Sequence, residues 1–167
     1  MILNIQSHIL RAIQACVAPK TDARYYLQGF CIDRTDPEAP LIVATSGAIL
    51  LTAPLSVVDP TDPPQSRASI WEPIKVSRRK NPVTVYMKIR GGGEEETSGY
   101  ADVAGKAQKM APIDGKFPDW RRVLRDENKI GAHERIGLDP RFLAPIAEEL
   151  NTHCALNFGP TPTDQIR

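Results

Sequence analysis

The sequence is poor in cysteine and aromatic residues and has no surplus of either charge. Its 167 residues include 21 basic and 20 acidic side chains, for a formal net charge of +1. This near-neutral balance is not that of a protein that coats nucleic acid through a basic surface. Cys16, Cys31 and Cys154 lie far apart and form no CxxC pair. Their spacing therefore favours neither a zinc site nor a disulfide framework.

Long apolar runs are also missing. No stretch approaches the roughly 20 residues that a membrane-spanning helix needs. The first seven residues lack the basic start and the apolar segment of a signal peptide. We therefore expect no membrane partner, and the unpaired cysteines predict a soluble protein of the reducing cytoplasm.

Motifs that would carry catalysis are not found in the sequence. His8, His133 and His153 are isolated, without the HxxxH or HExxH spacing of metal ligands. The glycine run at residues 91–93 is followed by neither GKS nor GKT, so we interpret it as a hairpin tip rather than a phosphate loop. The carboxylates around Trp120 have basic neighbours in the sequence, a pattern that is typical of surface loops in which opposite charges neutralise each other rather than of a metal-binding cluster. The sequence predicts a non-enzymatic protein with no catalytic residue, no metal and no cofactor.

Apolar spacing predicts two helices. Ser7 is the expected N-cap of the first helix, which Pro19 ends. Its buried face is predicted to contain Ile9, Ala12, Ile13, Cys16 and Val17. Asp139 is the expected N-cap of the second helix, with Pro140 at its first position. The apolar residues at helical spacing there are Leu143, Ile146, Ala147 and Leu150.

Strands are predicted in the part of the chain between these helices. Aromatic and branched residues indicate a strand from Arg24 to Asp33, and residues 41–52 indicate a hairpin with a Ser46-Gly47 turn. Residues 83–89 alternate apolar and polar side chains, the signature of a half-buried strand. A further strand is expected from Tyr100 to Ala107.

Two other regions complete the pattern. Residues 57–73 are rich in proline, and we interpret them as a connector in which proline excludes most ladder structure. After the second helix, residues 154–158 and residues 165–167 are predicted as strands.

Three segments together resemble a known family. They are Arg24-Tyr-Tyr-Leu-Gln-Gly-Phe30, Val43-Ala-Thr-Ser-Gly-Ala-Ile-Leu50 and Asp114-Gly-Lys-Phe-Pro-Asp-Trp-Arg-Arg-Val-Leu124. In this order they resemble segments of the bacterial sliding clamp, the beta subunit of DNA polymerase III. One such segment could arise alone, whereas three in order are hard to dismiss.

The resemblance implies an α+β fold. A clamp-type domain has two βαβββ-like halves, with both helices packed on one side of antiparallel sheet. At 167 residues the chain fits one such domain, residues 1–167, whereas a full clamp subunit needs about three. We therefore interpret it as a reduced relative, of the size expected from a phage or mobile element.

The resemblance also implies a pocket for partner peptides. In sliding clamps the three segments meet in a hydrophobic pocket that receives short linear motifs from replication and repair proteins. Carried over position by position, the pocket residues here are Leu27, Thr45, Gly47, Leu50, Pro118, Arg122 and Val123. The turn departs from the family, because Ala48 and Ile49 stand where clamps usually carry His and Arg. This replacement removes donors from the pocket rim and makes the pocket more apolar.

Contact with double-stranded DNA is the second implied property. In clamps the helices face the DNA, and here Arg11, Lys20 and Arg141 would supply the cations. Because a clamp ring contains six domains, a one-domain chain would encircle DNA only as a homo-oligomer. The alternative is a monomeric interaction module that binds or blocks a host clamp or its partners.

Overall fold

A computed structural model describes residues 1–36, 38–59, 68–78, 81–90, 98–123, 139–150, 156–157 and 165–166. Within these residues the chain forms two α-helices, two short 3₁₀ helices and twelve β-strands. The helices are α1 (Ser7–Ala15) and α2 (Pro140–Leu150), and the 3₁₀ helices span Tyr25–Leu27 and Trp120–Val123. The strands are β1 (Ile2–Gln6), β2 (Phe30–Asp33), β3 (Leu41–Thr45), β4 (Leu50–Pro54), β5 (Ser56–Asp59), β6 (Ala68–Trp71), β7 (Thr84–Arg90), β8 (Ser98–Val103), β9 (Lys106–Met110), β10 (Pro112–Ile113), β11 (Leu156–Asn157) and β12 (Gln165–Ile166).

The strands form two five-stranded antiparallel sheets and one short ladder. The first sheet has the order β5-β1-β7-β8-β9, and the second has the order β10-β6-β2-β3-β4. β11 pairs with β12 alone. Each sheet takes strands from both sides of the proline-rich segment.

Strand β7 shows how the sequence sets the inner face of the first sheet. Val85, Met87 and Ile89 are buried, while Tyr86 and Lys88 between them are exposed. Successive side chains of a strand point to opposite faces, so the predicted alternation is confirmed. The register Leu3–Met87 then places a buried residue of β1 beside this apolar row.

The main core joins both sheets and both helices. Leu3 of the first sheet, Ile32 of the second sheet, Ile13 of α1 and Ile146 of α2 belong to one cluster of buried side chains. Burying each such side chain contributes about 1.5–3 kcal/mol. Because α1 and α2 also pack against each other, the predicted α+β arrangement of two helices on antiparallel sheet is confirmed.

Helix α1 begins and ends earlier than predicted. Gln6 precedes its first turn, and Ser7 is a buried helical residue rather than the N-cap. The backbone of Ser7 donates to the carbonyl oxygen of Val83 at 2.8 Å, and its hydroxyl oxygen accepts from the backbone of Val83 at 3.0 Å. These bonds fix Ser7 against the start of β7. Leu10, which the prediction omitted from the buried face, is fully buried.

The predicted strand from Arg24 to Asp33 is wrong in its first half. Tyr25–Leu27 form a 3₁₀ helix, and the strand starts only at Phe30. A Cβ on Gly29 would lie 2.4 Å from the carbonyl oxygen of Trp71, so the chain approaches β6 where only glycine fits. The turn buries Leu27, and this packing overrides local strand propensity.

The expectations for the other strands need two corrections. Proline does not exclude ladder structure at the ends of residues 57–73, because β5 and β6 both pair in sheets; residues 60–67 lie outside the described part. The expected strand from Tyr100 to Ala107 is a hairpin of β8 and β9, which turns at Ala104 and Gly105 with φ values of 55° and 79°. The hairpin tip predicted at residues 91–93 also lies outside the described part.

The start of α2 agrees with the prediction. The carboxylate of Asp139 accepts a hydrogen bond of 3.0 Å from the backbone of Arg141, which is the geometry of an N-cap. Pro140 is the first helical residue. Pro145 lies inside the helix, which nevertheless continues to Leu150. The strands predicted at residues 154–158 and 165–167 are confirmed in part as β11 and β12.

Candidate functional site

A groove of about 360 Å³ lies where three separate segments of the chain meet. These segments are the first 3₁₀ helix, the turn between β3 and β4, and the stretch that leads into the second 3₁₀ helix. The lining residues are Arg24, Tyr26, Leu27, Thr45, Gly47, Ala48, Ile49, Leu50, Pro118 and Trp120. They are the same segments that carry the family resemblance.

The structure brings five of the seven predicted pocket residues together. Leu27, Thr45, Gly47, Leu50 and Pro118 all line the groove. Arg122 is exposed in the second 3₁₀ helix and is not among the lining residues. The backbone of Val123 ends the same helix, and its side chain lies outside the described part.

Five further lining residues were not in the predicted set. Arg24 and Tyr26 precede Leu27, and Trp120 follows Pro118 by two residues. Ala48 and Ile49, which we interpreted only as losses from the rim, form part of the wall. All five lie inside or beside the three segments that carry the resemblance, so the sequence pointed to their neighbourhood. Which side chains face the groove depends on the geometry of the 3₁₀ helices.

The β3–β4 turn is held by its own side chains. The hydroxyl of Thr45 donates to the carbonyl oxygen of Ile49 at 2.6 Å, and its oxygen accepts from the backbone of Gly47 at 3.0 Å. Gly47 has a φ of 89°, in the left-handed region that favours glycine. Thr45 and Gly47 therefore shape this wall of the groove.

Arg24 supplies the cationic rim of the groove. Its guanidinium donates to the carboxylate of Asp22 at 3.0 and 2.7 Å and to the carbonyl oxygen of Ser46 at 3.0 Å. The hydrogen bonds from Arg24 lower the pKa of Asp22 to about 2. The rim thus carries an ion pair rather than an isolated positive charge.

A buried carboxylate lies behind the opposite wall. Asp33 accepts a hydrogen bond of 2.9 Å from the indole nitrogen of Trp120 and another from the guanidinium of Arg121. Burial acts to raise its pKa, but hydrogen bonds from Thr35, Trp120 and Arg121 outweigh burial and lower the pKa to about 2. The guanidinium carbon of Arg121 lies 4.3 Å from the centre of the Trp120 ring.

Apolar side chains pack beneath the groove. Leu27 and Trp120 belong to a second buried cluster, which also includes Val43, Ile70 and Phe117. This cluster packs strands β2, β3 and β6 against the segment that carries Phe117. The groove is therefore a surface opening onto a buried apolar layer.

The three residues predicted to face DNA are in different environments. The side chain of Arg11 is 14% exposed, pairs with Glu149 and donates to the carbonyl oxygen of Ser77 at 3.1 Å. Lys20 is exposed in the loop after α1. Arg141 is 87% exposed and pairs with Asp139. Arg11 is thus largely neutralised, whereas the other two side chains are accessible to solvent.

The described residues contain no group of three or more His, Cys, Asp or Glu that could hold a metal ion. In the same part of the chain, no helix has both the length and the apolar character needed to cross a membrane. Cys16 and Cys31 are buried, and burial raises the pKa of their thiols to about 11 and about 12.

Solved structures of bacterial sliding clamps share this fold. The DNA polymerase III subunit beta of Pseudomonas aeruginosa matches 74% of the chain with a TM-score of 0.50 and 23% sequence identity. A sliding clamp of the same organism, solved with a ligand, matches 77% with a TM-score of 0.51 and 21% identity. The subunit beta of Borrelia burgdorferi, in complex with a natural product, matches 77% with a TM-score of 0.51 and 14% identity. The chain therefore has the domain fold of a sliding clamp.

The chain spans only about a third of the length of these clamps, since the matches cover 35%, 36% and 34% of the respective clamp chains. A scan against protein-family models and a search of curated proteins each found no match. Identities of this size establish the fold rather than the function.

Proposed function

We propose that this chain is a single-domain, non-enzymatic, clamp-like accessory protein of DNA replication or repair. It binds short linear peptides of replication or repair proteins in the groove between the first 3₁₀ helix, the β3–β4 turn and Pro118. The observation that carries this proposal is the groove itself. Three segments distant in sequence form one apolar cleft on a sliding-clamp fold.

The chemistry of the groove suits an apolar peptide anchor. Leu27, Ile49, Leu50 and Trp120 offer apolar surface, and burial of such surface contributes about 25 cal/mol per Å². The guanidinium of Arg24 at the rim can orient the backbone of a bound peptide. Since Ala48 and Ile49 carry no side-chain donors, we expect affinity to depend mainly on bulky leucine or phenylalanine side chains in the ligand.

Fluorescence anisotropy tests this proposal. The probes are a labelled nonapeptide with leucine and phenylalanine anchors and a copy with both anchors replaced by alanine. Ala48→Glu introduces a charge at an exposed lining position, and Ala107→Glu introduces the same charge at an exposed position of β9, in the other sheet. We expect the anchored peptide alone to bind, and Ala48→Glu alone to weaken it on the order of 10-fold or more. Equal binding by both variants would exclude the groove as the site.

Encircling DNA would require several copies of the chain, because one copy spans about a third of a clamp subunit. The strands at the ends of the two sheets, such as β9 and β4, provide edges that could pair between copies. Lys20 and Arg141 would then face the DNA because their side chains are exposed, whereas Arg11 would contribute little because it is 14% exposed and paired with Glu149. Analytical ultracentrifugation with and without primed circular DNA tests assembly, and a concentration-independent monomer would exclude a stable ring.

The altered turn favours a second candidate function. A groove without the usual His and Arg of the turn, together with a neutralised Arg11, fits a monomeric module that binds or blocks a host clamp or its partners. Two measurements separate the two functions: the oligomeric state of the chain on primed circular DNA, and its direct binding to a full-length bacterial clamp. A monomer that binds the clamp supports the module, whereas an oligomer that assembles on the DNA and does not bind the clamp supports the assembled clamp.

A further inference from the structure

Asp33 is a buried carboxylate with an unusually full set of partners. It is the last residue of β2 and is 4% exposed. The backbone and hydroxyl of Thr35 donate to it at 3.0 and 2.7 Å, the indole of Trp120 donates at 2.9 Å, and the guanidinium of Arg121 donates as well. A buried charge is stable only when it is paired and hydrogen-bonded. These four bonds supply that compensation.

Besides its apolar packing, Trp120 has two polar contacts, and both lead back to Asp33. The Trp120 indole nitrogen bonds directly to the carboxylate. The face of its ring contacts Arg121, whose guanidinium is held by the same carboxylate oxygen. Trp120 is 7% exposed and lines the groove, whereas Asp33 is not among the lining residues.

We propose that Asp33 is a positioning residue, which holds Trp120 and Arg121 so that the tryptophan ring forms one wall of the groove. The structural part of this inference stands on the contacts alone, and its consequence for peptide affinity rests on the function proposed above. Hydrogen bonds from Thr35, Trp120 and Arg121 keep the pKa of Asp33 at about 2. The carboxylate is therefore ionised at neutral pH and can hold a cation and an indole N–H at once.

The two tryptophans of the chain provide an internal control. The Trp71 indole donates to the hydroxyl of Ser69 at 2.9 Å, away from the groove. In ¹H–¹⁵N spectra each indole N–H gives its own signal. The signal that disappears in a Trp120→Phe variant is that of Trp120. We expect Asp33→Asn to shift the Trp120 signal and leave the Trp71 signal in place. Ser69→Ala is the matched control, which should shift the Trp71 signal and leave the Trp120 signal in place.

Peptide affinity provides the second readout, measured at a temperature where the spectra show each variant to be folded. We expect Asp33→Asn to weaken binding of the anchored peptide on the order of 10-fold, because Trp120 and Arg121 lose their charged acceptor. Ser69→Ala should leave affinity unchanged. In a double-mutant cycle, Asp33→Asn should add little to Trp120→Phe, since both act on the same hydrogen bond: the first removes the charge of its acceptor and the second removes its donor.

The outcomes separate this inference from the proposed function. If the wild type binds peptide and Asp33→Asn changes neither the Trp120 signal nor the affinity, the positioning role is wrong and the proposed function survives. If the wild type binds no peptide, the proposed function is wrong, while the indole signals still decide whether Asp33 positions Trp120. Should Asp33→Asn fail to fold, Trp120→Phe removes the same bond from the other side. Unchanged affinity in that variant would overturn the inference.

Discussion

The guanidinium of Arg24 donates a hydrogen bond of 3.0 Å to the carbonyl oxygen of Ser46. The bond joins the segment before the first 3₁₀ helix to the β3–β4 turn, so two walls of the groove are fixed to each other. A Cβ on the next residue, Gly47, would lie 2.5 Å from a terminal nitrogen of Arg24. The position of Arg24 and the identity of Gly47 are therefore coupled.

Gly47→Ala should destabilise the fold more than Gly105→Ala. Both glycines have positive φ, 89° and 79°, so each substitution introduces backbone strain of about 1 kcal/mol. A Cβ on Gly105 would meet nothing within 4 Å, whereas one on Gly47 would displace Arg24 from Ser46. Urea unfolding measures the free energy of unfolding of each variant. In an Arg24→Ala background, the two glycine substitutions should cost the same. Equal losses in the wild-type background would contradict the coupling.

Glu149→Gln should destabilise the helix pair far more than Glu148→Gln. Glu149 is 11% exposed and accepts bonds from Arg11 and Arg78, and its loss leaves Arg11 nearly buried without a counter-charge. We expect a loss of about 1–3 kcal/mol. Glu148 is 61% exposed and pairs with Arg78 at the surface, so its loss should stay below about 1 kcal/mol. The free energy of unfolding in urea at pH 7 checks both values, and similar losses would show that burial of the Arg11 pair is unimportant.

Stability should fall in acid because of Asp33. Its pKa is lowered to about 2 in the folded protein and is near 3.9 when unfolded. The unfolded state therefore binds the proton first, and stability is lost as pH falls from about 4 to about 2, by about 2 kcal/mol. In urea titrations at a series of pH values, Asp33→Asn should flatten the pH dependence of the free energy of unfolding between about pH 4 and about pH 2. Asp22→Asn should flatten it less, because Asp22 has a pKa of about 2 but pairs with the exposed side chain of Arg24, so solvent screens the ion pair.

Cys16 and Cys31 should resist alkylation in the folded protein. Burial raises the pKa of their thiols to about 11 and about 12, so at pH 8 the reactive thiolate is scarce. A Cys154→Ser variant leaves only these two thiols. Iodoacetamide should label this variant on the order of 100-fold more slowly in buffer than in concentrated urea, measured by mass spectrometry. Rapid labelling of the folded variant would show that the core opens readily.

Much of the fold follows from local patterns. The alternation along β7, the Asp139 cap and the apolar repeats of both helices were readable because each depends on near neighbours in the sequence. The prediction of a strand from Arg24 was wrong because contacts with residues far away in the sequence set the conformation of Leu27 and Gly29. Leu27 packs in the cluster of Phe117 and Trp120, and Gly29 lies against Trp71.

Only part of the candidate site could be predicted from the sequence. Three sequence segments identified Leu27, Gly47 and Pro118 as neighbours, since a family resemblance encodes spatial proximity. They did not identify Arg24 or Trp120 as lining residues, nor Asp33 as the residue behind the wall. Side-chain direction in a 3₁₀ helix depends on its packing, so a linear motif cannot specify it.

The sequence by itself determined the alternation along β7, the two amphipathic helices and the near-neutral charge, because these properties depend on residue types and on spacing along a few residues. Only the tertiary structure decided that Arg11 is neutralised by Glu149 and that Asp33 holds Trp120. These pairs are 138 and 87 residues apart in the chain. Such contacts arise from the packing of the whole core, which no local pattern contains.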